Sequence, residues 1–248
     1  MTAMNTTGAG ETGKKMLEVS GLHAFYGQAH ILFDVSLDVC AGEVVVLLGR
    51  NGAGKSTTLK SIAGLVRPRE GSVSFMGERI ERRQPFEIAR RGLGYVPEER
   101  RIFTELTVLE NLEVGRQPPR GGLAAWDFAR LGKLFPNLAE MPDRQGGRMS
   151  GGEQQMLTIA RTLMGNPLCI LLDEPSEGVA PVIVDQMAAA IKELKREGVA
   201  VLLSEQNLHF AQEVGDRAYI IEKGRIRFQG SMAQLQANEE VRAQYLAV

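Results

Sequence analysis

Apolar residues fall into short runs broken by glycine from residue 16 onward. Met16–Ser20, Leu22–Phe25 and Phe33–Val39 read as strands, and Glu43–Leu48, with its unbroken Val-Val-Val-Leu-Leu, reads as a buried one. The Ala41-Gly42 step between the last two predicts a hairpin. Beyond a glycine-rich loop the pattern predicts a helix to about Gly64, a β segment near Ser72–Met76 turned at Gly77, a short helix over Pro85–Arg91 and a strand over Leu93–Val96.

The middle of the chain changes period. Thr107-Val108-Leu109-Glu110 is a capping box that starts a helix ending near Gly115. A Pro/Gly-rich break from Pro118 to Gly122 precedes a helical run over Leu123–Leu134, whose Trp126 reads as a packing residue. A third helix runs from Ser150 to the stop signal Gly165-Asn166-Pro167. Strand and helix then alternate: strand Leu168–Leu172, helix Pro181–Glu197 closed by Gly198, strand Val199–Leu203, helix Gln206–Val214, strand Ala218–Ile221. That alternation means βαβ units and a mainly parallel sheet. The expectation is an α/β chain with one domain over 16–248, an antiparallel β section at its start and a helical insertion at about 98–165. Residues 1–15, Gly/Thr-rich and without an apolar signal core, are expected to form a disordered tail.

Composition removes several function classes. The 248 residues are 44% hydrophobic and 24% charged with a formal net charge of −1, which argues against a broad basic nucleic-acid surface. No apolar run approaches the roughly 18 residues of a membrane-spanning helix. Cys40 and Cys169 have no metal-ligand spacing and read as small reduced hydrophobes.

Three segments carry the chemistry. Gly49-Arg50-Asn51-Gly52-Ala53-Gly54-Lys55-Ser56 follows a buried strand and opens a helix through Thr57. Such a loop curls backbone N–H groups around phosphate oxygens; Lys55 reaches the β- and γ-phosphates and Ser56 faces Mg²⁺. The helix N-terminus adds partial positive charge at the same point. The strand over Cys169–Leu172 ends in Asp173 and Glu174. Ligands of open α/β sheets bind outside the carboxyl ends of strands, so this pair is expected at the same crevice. There Asp173 suits a metal held through water, and Glu174 suits orienting and deprotonating a water for in-line attack on the γ-phosphate. The third segment is Ser150-Gly151-Gly152-Glu153-Gln154. Ser150 and Glu153 form a capping box, a sufficient structural reason for both. Two glycines in a first turn, however, cost about 1 kcal/mol each and invite something to approach closely. A second anion-binding helix end cannot easily wrap the same ATP within one small domain, whereas two copies of the fold can sandwich it.

In these motifs the chain resembles the ATP-binding subunit of ABC transporters over essentially all of Met16–Val248. The resemblance implies a P-loop NTPase (RecA-like) core that binds and hydrolyses ATP with Mg²⁺. Gly49–Ser56 matches the Walker A motif, Ser150–Gln154 the family signature, with Met149 where Leu is usual, and Ile170–Glu174 the Walker B motif with its catalytic glutamate. Tyr26 falls where the family stacks an aromatic ring on adenine; a surface turn tyrosine is the plain alternative. The resemblance places Lys55, Glu174 and Gln206 in catalysis and Ser56, Glu98 and Asp173 at the metal. Three departures narrow it. Glu98 stands where a Gln is usual, Gln206 stands where the switch His is usual, and the loop after Walker B reads Ser176-Glu177-Gly178-Val179-Ala180-Pro181. These resemble the second ATPase of branched-chain amino acid importers, with urea-importer ATPases as close neighbours. That subgroup implies a second ABC ATPase subunit as partner in a heterodimer, with a homodimer as alternative. It further implies two membrane permease subunits, an extracytoplasmic solute-binding protein and a peripheral place on the cytoplasmic membrane face. His209, one helical turn beyond Gln206, reads as an ordinary helix-surface residue.

Overall fold

The computed structural model describes residues 13–120, 122 and 124–246. Most of the expected tail therefore lies outside the described residues, and Lys15 already opens the first strand. Strand β1 (Lys15–Tyr26) is one element where the sequence suggested two; a register shift near Gly21, at φ 59°, carries the pairing across the interruption. It pairs antiparallel with β2 (Ala29–Cys40), so that Leu17, Val19, Leu22 and Ala24 share a buried face with Val39, Leu37, Val35 and Leu32.

The Ala41-Gly42 step is not a hairpin. β3 (Val44–Leu48) leaves the first sheet and pairs parallel with two later strands. All five of its residues are buried, as a strand covered on both faces requires, whereas β2 alternates. Next in order come α1 (Lys55–Ile62), β4 (Glu70–Phe75), β5 (Glu78–Arg79), α2 (Pro85–Arg90) and β6 (Leu93–Val96). The helical insertion contributes α3 (Val108–Gly115), α4 (Phe128–Leu134), α5 (Pro136–Ala139) and α6 (Gly151–Leu163). β7 (Cys169–Asp173), α7 (Pro181–Arg196), β8 (Ala200–Glu205), α8 (Leu208–Val214) and β9 (Arg217–Glu222) follow, then β10 (Arg225–Ser231), α9 (Met232–Ala237) and α10 (Glu239–Tyr245).

The four-stranded antiparallel sheet has the order β2-β1-β4-β5, and the six-stranded sheet the order β10-β9-β3-β8-β7-β6. In the latter every pairing is parallel except β10 on β9. Period-2 alternation splits its buried residues between two cores. Val44, Val46, Leu48, Ile170 and Leu172 face a core shared with α6 and α7, while Val45, Leu47, Cys169 and Leu171 face one shared with α1 and the antiparallel sheet. Helix α1 is thus held between the two sheets. The run expected to be helical from Leu123 begins only at Phe128, because Asp127 caps α4 by accepting from Arg130 N at 2.8 Å. Residue 123 lies outside the described residues. Trp126 is 5% exposed and packs in the core shared with α6 and α7, with the Arg130 guanidinium over its ring. No helix of the described residues is long and apolar enough to cross a membrane.

Asn111 ties α3 to the segment that precedes it. Its Oδ1 accepts from Phe103 N at 2.9 Å, and Nδ2 donates to Phe103 O, Leu106 O and Thr107 O at 2.9–3.1 Å, all within a fully buried side chain. Truncation leaves these backbone groups without that partner. Asn111→Ala is expected to lower unfolding free energy by about 2–4 kcal/mol in a denaturant titration.

Candidate functional site

Because β3, β6, β7 and β8 run parallel, their carboxyl ends lie along one edge of the sheet. The phosphate loop leaves β3 there. Gly54 caps α1 at φ 112°, where a side chain is strained and a Cβ would meet Leu32 Cδ2 at 2.9 Å. The backbone between Gly49 and Gly54 turns so that Ala53 N donates to Arg50 O at 3.1 Å, while Asn51 and Gly52 sit exposed at its tip. Lys55 is buried at the base of the loop. Its Nζ donates to Gly49 O at 2.7 Å and Arg50 O at 3.1 Å and pairs with Glu174 Oε1 at 3.0 Å.

Asp173 ends β7 with no exposed surface and is held by three hydroxyls. Ser56 Oγ and Ser204 Oγ donate to its Oδ1 at 3.0 and 2.7 Å, and Tyr95 OH donates to Oδ2 at 3.1 Å. Glu174 follows at φ 47°, a left-handed conformation costly for a residue with a side chain. Its amide donates to Ser204 O and Oγ, both at 3.1 Å, which fixes the turn. Glu174 Oε2 is buried without a hydrogen-bond partner.

More carboxylates crowd this edge than sequence reasoning foresaw. Glu205, at the end of β8, is buried; its Oε1 accepts from Ser176 N and its Oε2 from Gln206 N and Asn207 N, all at 3.2 Å. Burial raises its pKa against those hydrogen bonds. Glu98 is exposed at the end of β6, and burial of its carboxyl, then the charges of Glu174, Asp173 and Glu99, raise its pKa too. The Glu177 carboxyl is pushed up to about 7, first because its proton is shared with Glu174, then by burial and by the charges of Glu174, Glu98 and Glu205. Glu177, Ser204, Glu205 and Tyr95 were legible only as loop or strand residues. Their one sequence signal was adjacency to the three motifs.

Tyr26 is 48% exposed at the turn between β1 and β2. It lines a cleft of about 250 Å³ together with Gly52, Lys55, Ser56, Thr57 and Glu174. Arg69 steadies this turn by donating from Nη2 to Gly27 O at 2.7 Å while lying over the Phe25 ring. Gln206 is exposed beyond β8, and His209 is exposed on α8.

Ser150 caps α6 at another place on the surface. Its hydroxyl accepts from Glu153 N at 3.4 Å and its amide donates to Glu153 Oε2 at 2.7 Å. The two glycines have neighbours within the chain. A Cβ on Gly151 would meet the Arg100 guanidinium at 2.6 Å, and one on Gly152 would meet Ile183 Cγ1 at 2.9 Å. A larger groove, about 450 Å³, lies between the core and the insertion; it is lined by Phe86, Arg90, Tyr95, Phe103, Val114 and Arg161, among others.

A phosphate loop facing a strand-end acidic pair on a mainly parallel sheet defines a P-loop nucleoside-triphosphatase. The ABC transporter family model matches residues 32–177. The chain is 43% identical over 231 residues to the high-affinity branched-chain amino acid transport ATP-binding protein BraG of Pseudomonas aeruginosa, covering 93% of this chain and 99% of that one. It is 37% identical over 233 residues to the lipopolysaccharide export system ATP-binding protein LptB of Haemophilus influenzae, covering 93% and 97%. Among solved structures, the ADP conformation of an ATP-binding cassette of an ABC transporter superposes with a TM-score of 0.77 at 28% identity, covering 92% of this chain and 96% of that one. The chain belongs to the ABC transporter family as an ATP-binding, ATP-hydrolysing subunit.

The raised Glu177 pKa gives a testable pH dependence. Below its unfolded value near 4.5 the group is protonated in both states and costs nothing. Between there and about 7 the unfolded chain loses the proton first, so folding is progressively disfavoured, and above about 7 the penalty is constant. Glu177→Gln is therefore expected to match the parent's unfolding temperature at pH 4.5 and exceed it at pH 8 in nucleotide-free buffer.

Proposed function

We propose that this chain is the motor subunit of an importer for branched-chain amino acids, and that ATP is bound at the Lys55 cleft and hydrolysed there. One observation carries the catalytic part. Lys55 and Ser56, at the start of α1, are in direct contact with Glu174 and Asp173, so phosphate, metal and base positions converge within hydrogen-bond distance. In this reading the loop amides of Gly49–Gly54 and Lys55 hold the phosphates, Thr57 flanks them, and Tyr26 stacks on adenine. The donor set fits a hard cation. Ser56 Oγ and Asp173 Oδ1 are oxygen ligands 3.0 Å apart, and no group of three or more His, Cys, Asp or Glu among the described residues forms a protein-only cage. Mg²⁺ suits such a site, since it keeps several waters and takes phosphate oxygens. Ser56 would ligate it directly, Asp173 through water and Glu98 at the rim; when bound, the ion supplies charge neutralisation at the β- and γ-phosphates. Glu174 takes the proton of the attacking water, and Gln206 donates a hydrogen bond to the γ-phosphate without carrying a proton.

Ser150, Gly151, Gly152 and Glu153 present the exposed α6 end to the nucleotide of a partner ATPase subunit, so two chains share each ATP. A second, different ABC ATPase is the proposed partner, with a homodimer as the alternative outcome. ATPase subunits of importers pair with membrane permeases. Two such subunits are proposed here, reached through the segment 98–107 that joins core and insertion, with an extracytoplasmic solute-binding protein acting through them at the cytoplasmic membrane face. The amino-acid solute rests on the 43% identity to the amino acid transport relative, against 37% to the export-system relative, and on Glu98 and Gln206.

Glu174→Gln is expected to retain ATP, accumulate as an ATP-bound dimer on size-exclusion chromatography and turn over at least about a hundredfold slower; rapid turnover by this variant refutes Glu174 as base. Lys55→Ala is expected to abolish nucleotide binding in equilibrium dialysis. Full-rate hydrolysis by the chain alone would establish the homodimer.

A further inference from the structure

The phosphate-loop lysine pairs with one oxygen of the proposed base and leaves the other without a partner, but Asp173 has both oxygens held. Its two oxygens are divided among three hydroxyls, with Ser56 and Ser204 on Oδ1 and Tyr95 alone on Oδ2. Under the proposed function Ser56 Oγ turns a lone pair to the metal and keeps its proton on Asp173 Oδ1. Ser56 and Ser204 on one oxygen and Tyr95 alone on the other make a two-point hold that stops the carboxylate from turning about its own bond.

The placement of Tyr95 follows from strand register. Tyr95 of β6 stands opposite Leu171 of β7, and Asp173 lies two residues farther along, on the same face as Leu171. A short hydroxyl side chain on β6 would stop short of that offset. A tyrosine leans along the strand, packs its ring against the core beneath, and delivers a hydroxyl at its end. Tyr95 also lines the 450 Å³ groove between core and insertion, so the edge strand of that groove is bonded to the carboxylate behind the phosphate loop. Phenylalanine at this position would keep the ring and leave Oδ2 of the fully buried Asp173 without that donor.

We infer that Tyr95 is a positioning residue: its hydroxyl orients Asp173 for the metal and thereby sets how much a bound divalent cation strengthens nucleotide binding. The inference rests on the proposed metal role of Asp173, and the test separates the two. The probe is a non-hydrolysable ATP analogue, bound at equilibrium to the full chain with Mg²⁺ and again with EDTA, for the parent, Tyr95→Phe and Asp173→Asn. Tyr95→Phe is expected to weaken Mg²⁺-dependent binding about tenfold while metal-free binding stays within about twofold of the parent. Parent-like binding in both conditions, with Asp173→Asn losing the Mg²⁺ increment, overturns the role of Tyr95 and leaves that of Asp173 standing. Retention of the increment by Asp173→Asn overturns both. Equal weakening with and without Mg²⁺, alongside a lowered unfolding temperature, shows Tyr95 to be a packing residue only and overturns the inference. Ser204→Ala, which removes a donor from the other oxygen, supplies an independent reading should Tyr95→Phe fold poorly: it is expected to lower the same increment, and an unchanged increment overturns the two-point hold.

Discussion

The bond from Ser56 to Asp173 is the contact around which the site is arranged. It joins the first turn of α1, which is trapped between the two sheets, to the end of β7, the strand next to the sheet edge. With Lys55 paired to Glu174 one residue away on each side, helix start and strand end become a single rigid corner. That corner has an electrostatic character. Glu98, Asp173, Glu174, Glu177 and Glu205 gather around it, and Lys55 is the buried cation among them. Burial first raises the pKa values of Glu98 and Glu205, and a hydrogen bond to Glu174 that of Glu177; neighbouring carboxylate charges add to each, and a divalent cation arriving with a nucleotide relieves that part. In the proposed function, then, the acidic surroundings favour a metal-loaded triphosphate over a bare one.

The glycine pair at the start of α6 has an explanation inside the chain. Arg100, itself at φ 63°, lies over Gly151, and Ile183 of α7 lies against Gly152, so each glycine makes room for a neighbour from another part of the fold. The backbone of Arg100 is held by Thr158 Oγ1, which donates to its carbonyl at 2.8 Å. A partner's nucleotide would meet the Ser150 hydroxyl and the helix end with this guanidinium alongside, which adds positive charge where the sandwich model needs an anion site.

Much of this was legible in the chain itself because the motifs coincide with strong local signals. The phosphate loop sits between an all-apolar strand and a helix, the acidic pair ends another such strand, and Thr107 and Ser150 both start helices with capping boxes as written. The Ala41-Gly42 step misled because a tight turn looks the same whether the next strand pairs back or crosses to another sheet; only the burial of both faces of Val44–Leu48 tells them apart. β10 escaped because it is a sheet-edge strand with no buried residue, and α10 because it buries none either. Tyr95 and Glu205 act through contacts between elements far apart in sequence, to Asp173 in one case and to Ser176 in the other. No local pattern encodes such pairs.

Lys55 carries one further consequence. Two of its ammonium protons are spent on loop carbonyls and its charge is met by Glu174. A small anion entering the cleft must therefore break a buried ion pair before it gains anything from the lysine. A ligand that also engages the loop amides and an aromatic face has the interactions to open that pair. The closed pair thus makes release of the lysine depend on contacts that a ligand gains elsewhere in the cleft.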